Sequence, residues 1–180
     1  EPDILLAGFS TGVIPSIRLL QNSGGTFAND AAGSAALPAI SESTAAWGDY
    51  DNDGDTDLFV MRGAWLGEWG RQPNSLLANN GKGVFTDVTF EAGLGKEHFP
   101  TKTAAWADYD NDGDVDLFVG NDGTKSLHAP GQLFQNNGNG TFIDVAKQAG
   151  LAESQFAAGA VWGDYDGDSD PDLYLSTGFS

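Results

Sequence analysis

The apolar residues of this chain fall into short runs broken by Gly, Asn and Asp. One full unit reads Thr44–Gly48, an acidic loop, Leu58–Arg62, a long connection, Leu76–Asn79, a glycine turn and Val84–Phe90. Runs this short, rich in β-branched and aromatic residues, predict strands, four to a unit and antiparallel. Asn80-Gly81-Lys82-Gly83 and Asn137-Gly138-Asn139-Gly140 offer the positive-φ positions that tight hairpins require. Helix-like patterning is confined to Glu91–Leu94 and Ala146–Ala152, roughly a turn or two each.

The pattern recurs. Trp47, Trp106 and Trp162 each stand two residues before an acidic loop, and Asn22, Asn79 and Asn136 recur every 57 residues. Gly25-Thr26-Phe27, Gly83-Val84-Phe85 and Gly140-Thr141-Phe142 form a third anchor. The repeat units run over about 1–43, 44–102 and 103–157, with a partial unit at 158–180. Four-stranded sheets at this period predict an all-β chain of β-propeller blades. Ala45, Ala46, Ala104, Ala105, Ala158 and Gly159 suit the crowded innermost strands. The inventory is three strands, two complete blades and two strands, 13 in all. Glu1–Ser10 aligns with Asp170–Phe179, so the chain is expected to begin just past most of an acidic loop. Closed propellers have about four to eight blades. About three blades' worth reads as part of a larger propeller or as a unit that assembles into a ring.

The acidic loops are Asp49–Asp57, Asp108–Asp116 and Asp164–Asp172, which hold 15 of the 26 acidic residues. Five carboxylates in nine residues repel one another strongly at neutral pH unless a cation is present. Hard cations take oxygen ligands, and the six to eight flexible ligands of calcium suit such a loop. Positions one, three, five and nine offer side-chain oxygens: Asp49, Asp51, Asp53 and Asp57, then Asp108, Asp110, Asp112 and Asp116, then Asp164, Asp166, Asp168 and Asp172. Position seven (Asp55, Asp114, Asp170) offers its main-chain carbonyl. Gly54 and Gly113 supply the sharp turn at position six. The third loop has Ser169 there and its glycine at Gly167, so altered geometry or weaker binding is expected. An EF-hand is excluded, because Val60, Val119 and Leu175 stand where its bidentate Glu belongs. With ligands from one contiguous loop, about three ions, one per loop, would act as structural clamps rather than catalysts.

The formal charge of −18 argues against nucleic acid and against anionic membranes. No apolar run is long enough to span a bilayer, and the first residues do not read as a signal peptide. With zero cysteines, thiol chemistry is absent. The calcium levels such loops need favour an extracellular, periplasmic or cell-surface home.

Taken together, Trp-Gly/Ala-Asp-Tyr-Asp-x-Asp-Gly-Asp, the Asn-x-Gly hairpins, Phe-x-Asp-Val and Phe156-Ala157-Ala158-Gly159-Ala160 resemble the FG-GAP/VCBS repeats of integrin α-like β-propellers. The resemblance covers essentially the whole chain. It implies that each calcium loop joins the first two strands of a blade, and that the chain is a recognition or adhesion module for extracellular proteins or glycans.

Loops after the second strand of each blade lie on the other face: Gly8–Ile17, Gly63–Ser75 and Gly120–Gln132. Trp65, Trp69 and Arg71 in the middle one form a candidate ligand platform for a sugar ring or an acidic side chain. The two tryptophans could equally plug the gap between blades. His98 and His128 read as surface residues, and Asp87 and Asp144, which recur at one repeat position, as structural hydrogen-bond acceptors. No nucleophile–base set is evident, so an enzyme is not expected. A non-binding scaffold segment of a larger secreted enzyme or adhesin is the alternative, and a polysaccharide lyase the third reading.

Overall fold

The computed structural model describes residues 4–10, 14–37, 44–64, 66–123, 127–151 and 157–177. Among these described residues are 13 strands in four antiparallel sheets. The first sheet holds β1 (Ile4–Ser10), β2 (Ile14–Ser23) and β3 (Thr26–Asp30). The second holds β4 (Thr44–Gly48), β5 (Asp57–Met61), β6 (Ser75–Asn79) and β7 (Phe85–Asp87). The third repeats it with β8 (Thr101–Ala107), β9 (Asp116–Asn121), β10 (Gln132–Asn136) and β11 (Phe142–Asp144). β12 (Ala157–Gly163) and β13 (Asp172–Thr177) form the fourth. Strand order within each sheet is sequential, as expected for propeller blades.

The second strand of each full sheet is buried on both faces, which explains its unbroken apolar run. Leu58 and Val60 point into a core shared with Leu19, Leu37, Leu77 and Phe85. Phe59 and Met61, one residue out of phase, enter a second core with Leu117, Val119, Phe134 and Phe142. Phe118 faces the opposite way, toward Leu133, Leu173 and Leu175. Alternation along β5 and β9 therefore joins all four sheets through three consecutive cores. Each fully buried Leu or Phe stabilises the stack by about 1.5–3 kcal/mol.

The repeated tryptophan is the peg between sheets. β8 lies beside β4, and β12 beside β8. The Trp106 indole Nε1 donates to the Ala46 carbonyl at 3.4 Å, and that of Trp162 to Ala105 at 3.2 Å. Trp106 also meets Phe59 edge-on, with ring centroids 6.4 Å apart. A Cβ on Gly48 would lie 2.8 Å from the Trp106 ring, so that position admits only glycine without repacking.

Residues 89–95 and 146–150 form short turns, closed by bonds such as Ala92 N–H to Val88 O at 2.8 Å; Ala152 lies outside the described residues. Two expectations need correction. Among the described residues the α-helix is α1 (Ala31–Ala36), where none was expected; it is capped by the Asp30 carboxylate, which accepts from Ala32 and Gly33 N–H. Finally, Gly8–Ile17 is largely strand: β1 runs to Ser10 and pairs with Ile14 of β2. Glu1, Asp3 and Phe156 lie outside the described residues.

Candidate metal centre

Each acidic loop joins the first two strands available to its sheet: β4 to β5, β8 to β9, and β12 to β13. The chain folds there by carboxylates capping main-chain N–H groups, in place of a two-residue hairpin. Asp49 Oδ2 accepts from Gly54 N–H at 3.1 Å, and Asp53 Oδ1 from Asp55 N–H at 2.9 Å. The second loop repeats this with Asp108 to Gly113 at 3.0 Å and Asp112 to Asp114 at 2.9 Å. Position nine reaches back to close the loop, Asp57 Oδ2 accepting from Tyr50 N–H and Asp116 Oδ2 from Tyr109 N–H, both at 3.1 Å.

These turns gather the carboxylates. Oxygens of Asp49, Asp51 and Asp53 lie within 4.8 Å of one another, as do those of Asp108, Asp110 and Asp116, and of Asp164, Asp166 and Asp172. Asp49 Oδ1 is buried without a hydrogen-bond donor, an arrangement costly for a carboxylate oxygen unless a cation meets it. Burial pushes the Asp57 and Asp116 carboxyls up to about 6; two backbone N–H bonds to each oppose the shift, and neighbouring aspartates add to it. Burial and then Asp53 raise Asp51 as well. The donor set is all oxygen, anionic and partly desolvated, and therefore fits a hard divalent cation.

Position seven points elsewhere. The Asp55 carboxylate lies against Gly81, where a Cβ would stand 2.3 Å from Oδ2, and that of Asp114 lies against Gly138 at 2.6 Å. The glycine hairpins therefore share an end of the molecule with the acidic loops, and this residue has only its carbonyl to offer inward. Asp87 accepts from Ser75 and Thr89, and Asp144 from Ala146 N–H, the structural role expected of both.

The third loop keeps the backbone path of the others, so its altered sequence does not alter the turn. Positions four and six have positive φ in every loop: Asn52 and Gly54, Asn111 and Gly113, Gly167 and Ser169. The glycine has changed places while the path is unchanged, and Ser169 N–H still bonds Asp164 Oδ2 at 3.0 Å. Ser169 holds φ +77, at a cost of about 1–2 kcal/mol.

The model of the FG-GAP-like repeat matches residues 64–119 and 108–175. The chain belongs to the FG-GAP-like repeat family. Among known proteins, cartilage acidic protein 1 of Xenopus tropicalis is 29% identical over 107 residues, and that of Homo sapiens 31% identical over 107 residues. The match covers 58% of this chain but only 16% and 15% of those proteins. Among solved structures, one described as the basis of specific recognition of non-reducing terminal N-acetylglucosamine by an Agrocybe aegerita lectin aligns over 95% of this chain and 46% of its own, at 19% identity and a TM-score of 0.46.

At the opposite end of this FG-GAP-like chain, Trp69 sits in a 3-10 helix (Gly67–Gly70) and is 89% exposed, so it plugs no gap between sheets. Arg71 lies with its guanidinium carbon 6.0 Å from the Phe99 ring centroid and donates Nε–H to His98 O at 3.3 Å. Trp65 lies outside the described residues. His128 is exposed, whereas His98 is half-buried with Nε2 3.1 Å from Gly95 O. Sequence reasoning missed three asparagines, Asn52, Asn111 and Asn136, whose carboxamides bridge neighbouring sheets. Their fixed repeat positions were visible; their distant partners were not.

Proposed function

We propose that this chain is a calcium-stabilised, non-enzymatic recognition module that works outside the cell and binds a protein or glycan. The buried, donorless Asp49 Oδ1 within a ring of carboxylates carries the calcium half of this reading. Asp49, Asp51, Asp53 and Asp57 would hold the first ion with the Asp55 carbonyl. Asp108, Asp110, Asp112 and Asp116 would hold the second with Asp114. Asp164, Asp166, Asp168 and Asp172 would hold the third with Asp170. Bound calcium supplies positive charge that offsets the crowded carboxylates, bringing the formal −18 to about −12 for three ions. The chain's own contribution is to fix the inner hairpin of each sheet, so that the loops at the other end are presented on a rigid frame.

We place recognition at that other end, where exposed Trp69 stands two residues before Arg71, whose guanidinium lies near the Phe99 ring. An aromatic face beside a cation suits a sugar ring or an acidic side chain. Similarity to a protein named for cartilage supports the extracellular setting. Further blades, in cis or from other copies, would complete the propeller.

Screening the chain against glycan and matrix-protein arrays in millimolar calcium, with a chelated control and Trp69→Ala, tests the reading. Calcium-dependent capture lost in the variant is expected. A blank array in calcium removes the recognition role and leaves the scaffold alternative.

A further inference from the structure

The three acidic loops are not independent. Asn52, at position four of the first loop, donates from Nδ2 to Asp114 Oδ1 of the second at 2.6 Å and to Gly113 O at 3.3 Å. Asn111, at position four of the second, donates from Nδ2 to Asp170 Oδ1 of the third at 2.8 Å. In both cases the donor stands between two proposed ligands of its own loop, and the acceptor is the residue whose carbonyl would serve the next. Asn136 adds a second tie between the first two loops, donating to Tyr50 O at 2.7 Å and Val115 O at 3.1 Å. The third loop has Gly167 at position four and has no carboxamide to pass on.

We infer that Asn52 and Asn111 couple calcium binding between neighbouring loops, so that filling one raises the affinity of the next. This rests on the calcium reading above. Fixing Asp51 and Asp53 around an ion fixes the backbone of Asn52 between them, and with it the carboxamide that holds Asp114. The second loop then has less conformational freedom left to lose, so its binding costs less entropy. Linkage makes the effect reciprocal. Coulomb repulsion between ions works against it, but salt screens that term and spares the contact hydrogen bond. Coupling is therefore stronger at high salt, and stronger between the first and second loops, which have two ties, than between the second and third.

Asn52→Gly is the matched variant, because native Gly167 shows that the loop path accepts glycine there. Asp114→Ala removes the acceptor instead, while retaining the main-chain carbonyl. The full chain, stripped of metal, is titrated with calcium while the amide signals of Gly54, Gly113 and Ser169 report each loop by NMR. In the unmodified chain the first two loops fill together, each raising the affinity of the other about five- to tenfold. In both variants the mutual effect of the first two loops shrinks to what the Asn136 tie alone carries. Equal, independent filling in the unmodified chain overturns the coupling while leaving the calcium reading intact. Absence of any calcium-dependent signal overturns both.

Discussion

The Asn136 carboxamide donates to the Tyr50 carbonyl at 2.7 Å, joining β10 of one sheet to the acidic loop of its neighbour. Asn136 is 2% exposed; its second bond goes to Val115 O, and its own N–H bonds Asp116 Oδ1 at 2.8 Å. One side chain thus ties two loops and two sheets together at a buried point.

Replacing it should expose that role. Asn136→Leu fills the space but leaves two carbonyls without this donor, a loss of about 2–3 kcal/mol. Urea denaturation in calcium reads the change as a lower midpoint. A midpoint within 0.5 kcal/mol of the parent's, a typical surface-substitution effect, would make the bridge energetically idle.

Ser169 tests the third loop. Its φ of +77 is strained for serine and ordinary for glycine. Ser169→Gly should tighten calcium binding at this loop about fivefold, corresponding to the release of about 1 kcal/mol. Loop-resolved titration checks it, and unchanged affinity would mean that the strain is absorbed elsewhere.

Stability should depend on pH in opposite senses with and without metal. The Asp57 and Asp116 carboxyls rise from an ordinary 3.8 to about 6 on folding. Between those values the folded chain binds more protons than the unfolded one, so metal-free stability falls as pH rises through the interval. With calcium present the deprotonated form is the one required, and stability should rise over the same range. Thermal melts at pH 4 to 7 in both conditions distinguish the two. A metal-free midpoint that climbs with pH contradicts the assignment.

Much of the architecture was legible because each element carries its own signal. The continuous Leu-Phe-Val runs of β5 and β9 mark strands covered on both faces, and the tryptophans mark a contact made once per repeat. Contacts between repeats were hidden. Asn52 and Asn111 take the positive φ of turn-forming asparagines, +57 and +59; nothing local says that their side chains reach 62 and 59 residues ahead. α1 was overlooked: the short Ala-rich stretch after Asp30 has no counterpart in the other units, and it becomes a helix once the Asp30 carboxylate caps it. At Ser169 the backbone path is set by position, and the loop holds it whichever residue carries the strain.

The most direct test is calorimetry on the intact chain, metal-stripped and then saturated with calcium. At a free concentration 100 times the dissociation constant, each ion adds about 2.7 kcal/mol of stability. For a domain of this size, three ions should raise the midpoint by roughly 15–30 °C. Titration should count three ions per chain. Superimposable melts with no heat of binding would contradict the claim that these loops are calcium clamps.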